Sequence, residues 1–172
     1  MDPGRHTLAR GRKAAENLVV RHGTTLKTVL LTVHPVIRGY YACFNERRFA
    51  NAVDLFAVDA VIEHPALGPG GHGRDHYVHL AELWVTAFPD GHITVEHVAQ
   101  QGDAIYEVDF VGTGTHLGDF DVSGYGTFRA TGNKATLKFR ELFEIRAGKI
   151  VSVSLRLDTH DFVRQLGGPR EP

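Results

Sequence analysis

Glu141 is a carboxylate in an apolar row. In the run 135–145, Ala135, Leu137, Phe139, Glu141, Phe143 and Ile145 alternate with Thr136, Lys138, Arg140, Leu142 and Glu144, the period-two pattern of a strand with one face turned inward. An ionised carboxylate on that face must find a partner, raise its pKa or reach a pocket. A raised pKa suits a general base that takes protons from carbon. The other reading is a structural ion pair or hydrogen bond, with His64 or Arg47 as the partner.

Two histidines could assist such a base. His64, directly before Pro65 at the end of an apolar run, is of a type that polarises a carbonyl or relays a proton. His116 falls on the apolar side of another alternating run, two residues before Gly118. Each also reads as a hydrogen-bonded structural residue. His72, His76 and His79 have spacing compatible with a metal site, but Gly71 and Gly73 set His72 ahead of the helix and no carboxylate completes a triad, so no metal is expected. No phosphate loop, dinucleotide fingerprint, nucleophile elbow or metalloprotease motif occurs.

The elements that must position these groups follow from periodicity. Pro35 suits the first turn of a helix, and Val36, Tyr40, Cys43 and Phe44 share one face. A short second helix is expected from Phe49, Ala52, Val53 and Phe56, then a brief strand Ala60-Val61-Ile62 stopped at His64-Pro65. The segment 68–73 is a glycine-rich loop. A third helix begins near Arg74-Asp75, with Tyr77, Leu80, Ala81, Trp84 and Phe88 in one stripe, and Pro89-Asp90-Gly91 closes it.

From residue 92 onward the period becomes two. Tyr106, Val108, Phe110, Gly112 and Gly114 face one way, while Glu107 and Asp109 belong to the opposite, solvated or interfacial, face. The last hairpin turns at Arg146-Ala147-Gly148-Lys149, after which Val151, Val153, Leu155 and Leu157 are expected inward. With a bulged turn at Gly148, Glu141 lies opposite Leu155. Asp158 or Thr159 caps a closing helix that buries Phe162, Val163 and Leu166.

Three helices followed by a curved antiparallel sheet make an α+β cone with an apolar pocket between the layers. Trp84, Tyr41, Phe110, Phe139 and Leu155 are candidates for the walls of that pocket, the alternative being plain core. Tyr125, in Ser123-Gly124-Tyr125-Gly126, is placed to cover the cavity or to belong to a mobile lid.

Composition sets outer bounds. The 172 residues are 42% hydrophobic and 23% charged, with 19 basic residues against 20 acidic ones, which describes one soluble domain without the positive excess that nucleic acid or an anionic membrane requires. One cysteine, Cys43, excludes an intrachain disulfide framework and favours the cytoplasm. The stretch from Val29 to Ile37 is too short to span a bilayer. Residues 1–33 form a mildly basic extension, 34–168 the domain and 169–172 a tail.

Six segments, in order, carry a resemblance. They are Phe44-Asn45-Glu46, Asp59 to Pro65, Gly73-Arg74-Asp75, Phe88-Pro89-Asp90, Gly112 to Gly118, and Gly148-Lys149-Ile150 through Asp158 to Gly167. The chain resembles the SnoaL-like polyketide cyclases of the NTF2-like superfamily. The resemblance implies a cofactor-free homodimer that closes a ring on a hydrophobic polyketide by aldol-type acid and base chemistry, with His64 lining the cavity. It also implies a carboxylate base on the last strand, paired with an acid or histidine on its neighbour. Counted from Gly148-Lys149-Ile150, the base position holds Leu155 and the neighbour is Glu141, while Asp158 falls outside the pair. Leucine takes no proton, so Glu141 inherits the role, with His64 and His116 stabilising oxyanion charge. Two alternatives are a pericyclic cyclase that works by orienting its substrate and a non-catalytic small-molecule-binding domain.

Overall fold

Pro35 supplies a pre-set φ at the first helical position, and His34 caps the helix by accepting a hydrogen bond from the Val36 amide at 3.3 Å. The helix α1 (Pro35–Asn45) buries Val36, Ile37, Tyr40, Tyr41 and Cys43. These details come from a computed structural model that describes residues 33–168. The basic extension and the tail lie outside the described residues, except for Val33, which is buried in the core.

The second helix is shorter than its periodicity suggests. α2 (Phe49–Ala52) tightens into a 3-10 turn at Val53–Leu55, and Phe56 then opens the strand β1 (Phe56–Glu63) instead of completing the helical stripe. Within the glycine-rich loop, β2 (Gly71–His72) pairs antiparallel with β1, Val61 facing His72. α3 (Asp75–Ala87) follows and buries Tyr77, Leu80, Ala81 and Ala87.

The sheet is completed by β3 (His92–Gln101), β4 (Ile105–Thr115), β7 (Lys134–Arg146) and β8 (Lys149–Leu157). A separate hairpin, β5 (Phe120–Val122) with β6 (Gly126–Phe128), intervenes after β4. The strand order is β2-β1-β8-β7-β4-β3, antiparallel except where β1 runs parallel to β8. α4 (Thr159–Gln165) closes the chain, capped by Asp158, whose side chain accepts from the Asp161 amide. The architecture is the expected α+β cone with a curved mixed sheet.

Register sets the interior. Glu141 faces Leu155 on one side and Val108 on the other. The pairing skips a residue of β8, since Glu144 faces Ser152 and Ile145 faces Ile150. Val151 is that extra residue, so the inward row is Ile150, Val153 and Leu155 and does not include Val151. Such bulges bend a strand, and a second one in β3 adds to the curvature.

One close approach requires glycine. Phe110 and Phe139 are cross-strand neighbours whose rings stack at 4.8 Å and 11°. A Cβ on Gly112 would sit 2.8 Å from Phe139 Cε2, so only the missing side chain leaves room for the ring.

The helical layer is tied to the sheet at its rim. The Asn45 side chain donates to the Ile93 carbonyl at 2.9 Å and accepts from the Ile93 amide at 2.8 Å. Arg47 donates to the carbonyls of Phe44, Pro89 and Gly91.

Candidate active site

Burial of Glu141 is nearly complete, with 3% of its surface exposed. Its partners are two consecutive residues of α1. Tyr40 Oη donates to Oε1 at 2.8 Å, and Tyr41 Oη donates to Oε2 at 2.5 Å. Neither His64 nor Arg47 pairs with it. Because the partners are neutral hydroxyls, the desolvation cost is offset only in part, and burial pushes the Glu141 pKa up to about 7. The same burial, with the carboxylate alongside, pushes both tyrosines well above their ordinary range, so they remain donors.

His64 ends β1 at 6% exposure, where Pro65 turns the chain into a short 3-10 segment. Its Nε2 accepts from Trp84 Nε1–H at 3.0 Å. An indole nitrogen only donates, so the proton of the neutral imidazole sits on Nδ1. Nδ1 is sealed from water and has no partner among the described residues. Burial lowers the His64 pKa to about 4, which keeps the ring uncharged at neutral pH.

Glu141, Tyr40, His64 and Trp84 border a hollow between helices and sheet. It measures about 850 Å³ out to its open mouth, with about 100 Å³ that admits the centres of water molecules. A larger ligand must therefore extend beyond that space, and the exposed His92 is among the lining residues. The walls are mostly apolar, and none of the lining residues is lysine or arginine.

Six of the residues singled out in the sequence border this hollow: Glu141, His64, Trp84, Phe110, Phe139 and Leu155. Three do not. Tyr41 sits behind the wall, held there by its bond to Glu141. His116 is fully buried, stacked on Phe88 at 5.4 Å with Nδ1 3.1 Å from Thr131 Oγ1. The strand ends at Thr115, so the alternation that pointed His116 inward stops one residue too early. Tyr125 lies in the β5–β6 turn, 44% exposed and edge-on to His160, away from the cavity.

Tyr40 and Tyr77 were not singled out, yet both border the hollow. Tyr77 Oη is buried and without a partner among the described residues, and burial raises its pKa strongly. A hydroxyl in an otherwise apolar helical stripe was the available signal. Among the described residues no group of three or more His, Cys, Asp or Glu is placed to hold a metal ion, and no helix is long and apolar enough to cross a membrane.

Comparison with known proteins places this geometry. The sequence profile of the SnoaL-like domain family matches residues 37–153. IdmH from Streptomyces antibioticus, a candidate polyketide cyclase, superposes with a TM-score of 0.64 at 28% identity, over 77% of this chain and 96% of that one. AclR from Streptomyces galilaeus, a candidate hydroxylase, gives 0.64 at 21% identity, over 80% and 82% of the two chains. A Catenulispora acidiphila protein with a ketosteroid isomerase-like fold, solved with trimethylamine, gives 0.65 at 17%, over 82% and 100%. No curated protein matches the sequence significantly.

Proposed function

The chain belongs to the SnoaL-like domain family, and from that membership we propose that it is a cofactor-independent cyclase, closing a ring on a hydrophobic polyketide or related natural-product intermediate. The observation that carries the reading is Glu141, a carboxyl in an apolar hollow with its pKa raised to about 7. General-base efficiency is greatest when the pKa lies near the working pH.

The chemistry is an intramolecular aldol closure. A Glu141 oxygen takes a proton from the carbon beside a substrate carbonyl, and the resulting enolate carbon attacks a second carbonyl of the same molecule. The new C–C bond leaves an alkoxide, which recovers the proton from Glu141. Each carboxylate oxygen accepts one tyrosine bond and keeps a second lone pair for substrate. His64, uncharged, supplies a donor toward the developing oxyanion. His116 has no part, since it lies outside the hollow. The base stands opposite Leu155, so the catalytic position has moved one strand across.

Deuterium uptake tests this without the native substrate. In heavy water the protein should accelerate exchange at the methyl group of acetophenone, and Glu141→Gln should lower the rate by about 100-fold or more. An unchanged rate overturns the base. A second reading, a pericyclic cyclase, is favoured by the apolar Leu155 in the base position, and it predicts ring closure that Glu141→Gln leaves intact. On the leading reading the protein acts as a homodimer, as the family resemblance implies, and in the cytoplasm, as its single cysteine favours; a monomer-sized species in sedimentation removes the first part.

A further inference from the structure

We infer that Arg47, assisted by Asn45, is a latch on the open side of the hollow, and that its release sets how fast an uncharged apolar ligand enters and leaves. The inference rests on the reading of this hollow as the ligand site and concerns passage into it, not the chemistry inside.

Exposure locates the open side. Among the residues that line the hollow, only His92 and Thr113 are exposed, and they face each other across β3 and β4. Their neighbours Gly91, Ile93, Gly112 and Gly114 are half-buried, whereas Glu141, Tyr40 and Tyr77 are buried. The hollow thus meets solvent where the turn after α3 enters β3.

That stretch of wall is held by hydrogen bonds from the end of α1. Phe44, Gly91 and Ile93 all line the hollow, and each is held by Arg47 or Asn45. The guanidinium donates to the Phe44 carbonyl at 2.9 Å, the Gly91 carbonyl at 2.6 Å and the Pro89 carbonyl at 3.0 Å, and its carbon lies 5.5 Å from the centre of the Phe44 ring. Asn45 engages both backbone groups of Ile93. One arginine therefore bridges the two sides, the end of α1 and the turn that follows α3. Both side chains belong to residues that are only partly buried, so water can replace their bonds at small net cost, and the latch opens without disturbing the core.

The backbone separates this role from plain helix capping. α1 ends with two backbone bonds, from the Arg47 amide to the Phe44 carbonyl at 3.1 Å and from the Arg48 amide to the Cys43 carbonyl at 2.8 Å, with Arg47 at φ 59°. Such an ending ordinarily places glycine at the left-handed position, because a Cβ there is costly. Glycine would end α1 in the same way with less strain. What arginine adds is a side chain that reaches Pro89 and Gly91.

Dye kinetics test the inference. N-phenyl-1-naphthylamine is uncharged and fluoresces in apolar surroundings, so stopped-flow mixing gives its association and dissociation rates. Trp84, the only tryptophan and a lining residue, reports its arrival by loss of emission. Arg47→Gly keeps the turn and removes the latch. Both rates should rise about tenfold, the equivalent of about one net hydrogen bond, while Kd stays within about twofold. Hydrogen exchange at the Ile93 amide, which donates to Asn45, should quicken, with the β7 amides protected as in wild type. Arg47→Lys keeps the cation and loses the planar fork; it should raise both rates by several-fold, and it carries the test if the glycine variant does not fold.

Unchanged rates in a folded Arg47 variant, a changed Kd with unchanged association, equally faster exchange throughout β7, or no binding of the dye to wild type each overturns the inference. Deuterium uptake separates the two claims. If Arg47→Gly speeds dye passage and the wild type promotes no exchange of acetophenone, the base fails and the latch stands. Exchange by the wild type with dye rates indifferent to Arg47 has the opposite meaning.

Discussion

Replacing Glu141 by glutamine should make the protein more stable at neutral and alkaline pH. The carboxyl has an ordinary pKa of 4.5 and is raised to about 7 in the fold by burial. A group whose folded value lies above its unfolded one contributes stability that is complete below pH 4.5 and is lost as pH rises through 7. At 1.36 kcal/mol for each tenfold change, that displacement amounts to about 3 kcal/mol. Glutamine keeps nearly the same shape, leaves an oxygen for one tyrosine and an NH2 group that can donate to the other, and cannot ionise. The difference in unfolding free energy between variant and wild type should therefore be near zero at about pH 4 and climb to roughly 3 kcal/mol by about pH 8. Urea unfolding at a series of pH values measures it, and taking the difference cancels every other titrating group. A difference independent of pH, or a variant less stable than wild type at high pH, would refute the claim that Glu141 ionises against its surroundings.

The two tyrosines set how far that ionisation is resisted. Tyr40→Phe or Tyr41→Phe removes a donor that favours the carboxylate, so the rise of the exchange rate with pH should move up by about one pH unit. A pH–rate profile that stays in place would show that the hydroxyls do not stabilise the anion. Gly112→Ala should destabilise the fold by about 1–3 kcal/mol, since its Cβ would meet Phe139 at 2.8 Å; thermal unfolding checks it, and an unchanged midpoint would mean that the Phe139 ring yields freely.

The inward direction of Glu141 and its place opposite Leu155 were legible because a strand's alternation, once one turn is fixed at Gly148, determines every facing pair. What alternation cannot reveal is where it stops. Val151 leaves the inward row because an extra residue in β8 becomes visible only when the neighbouring strand is laid beside it. His116 was assigned by the same parity one residue after the ladder ended. Phe56 continued a helical stripe in sequence, but the turn tightened to 3-10 before it. The partners of Glu141 were harder still. Tyr40 and Tyr41 lie about 100 residues away on a helix, where consecutive residues point about 100° apart, so a stripe argument admits one and not the other. The strands of the β5–β6 hairpin are three residues each, too short to show a period at all.

Both oxygens of Glu141 are bonded to one helix while the residue itself belongs to the sheet. The two hydrogen bonds are thus a clasp between layers as well as the environment of an acid. Any motion that widens the gap between α1 and β7 strips both donors together, and admits water to a group whose proton affinity was set by dryness. The spacing of the layers and the protonation of Glu141 are consequently linked variables, each able to bias the other by the same free energy. A proton held at one carboxyl then doubles as a gauge of how tightly the cone is shut.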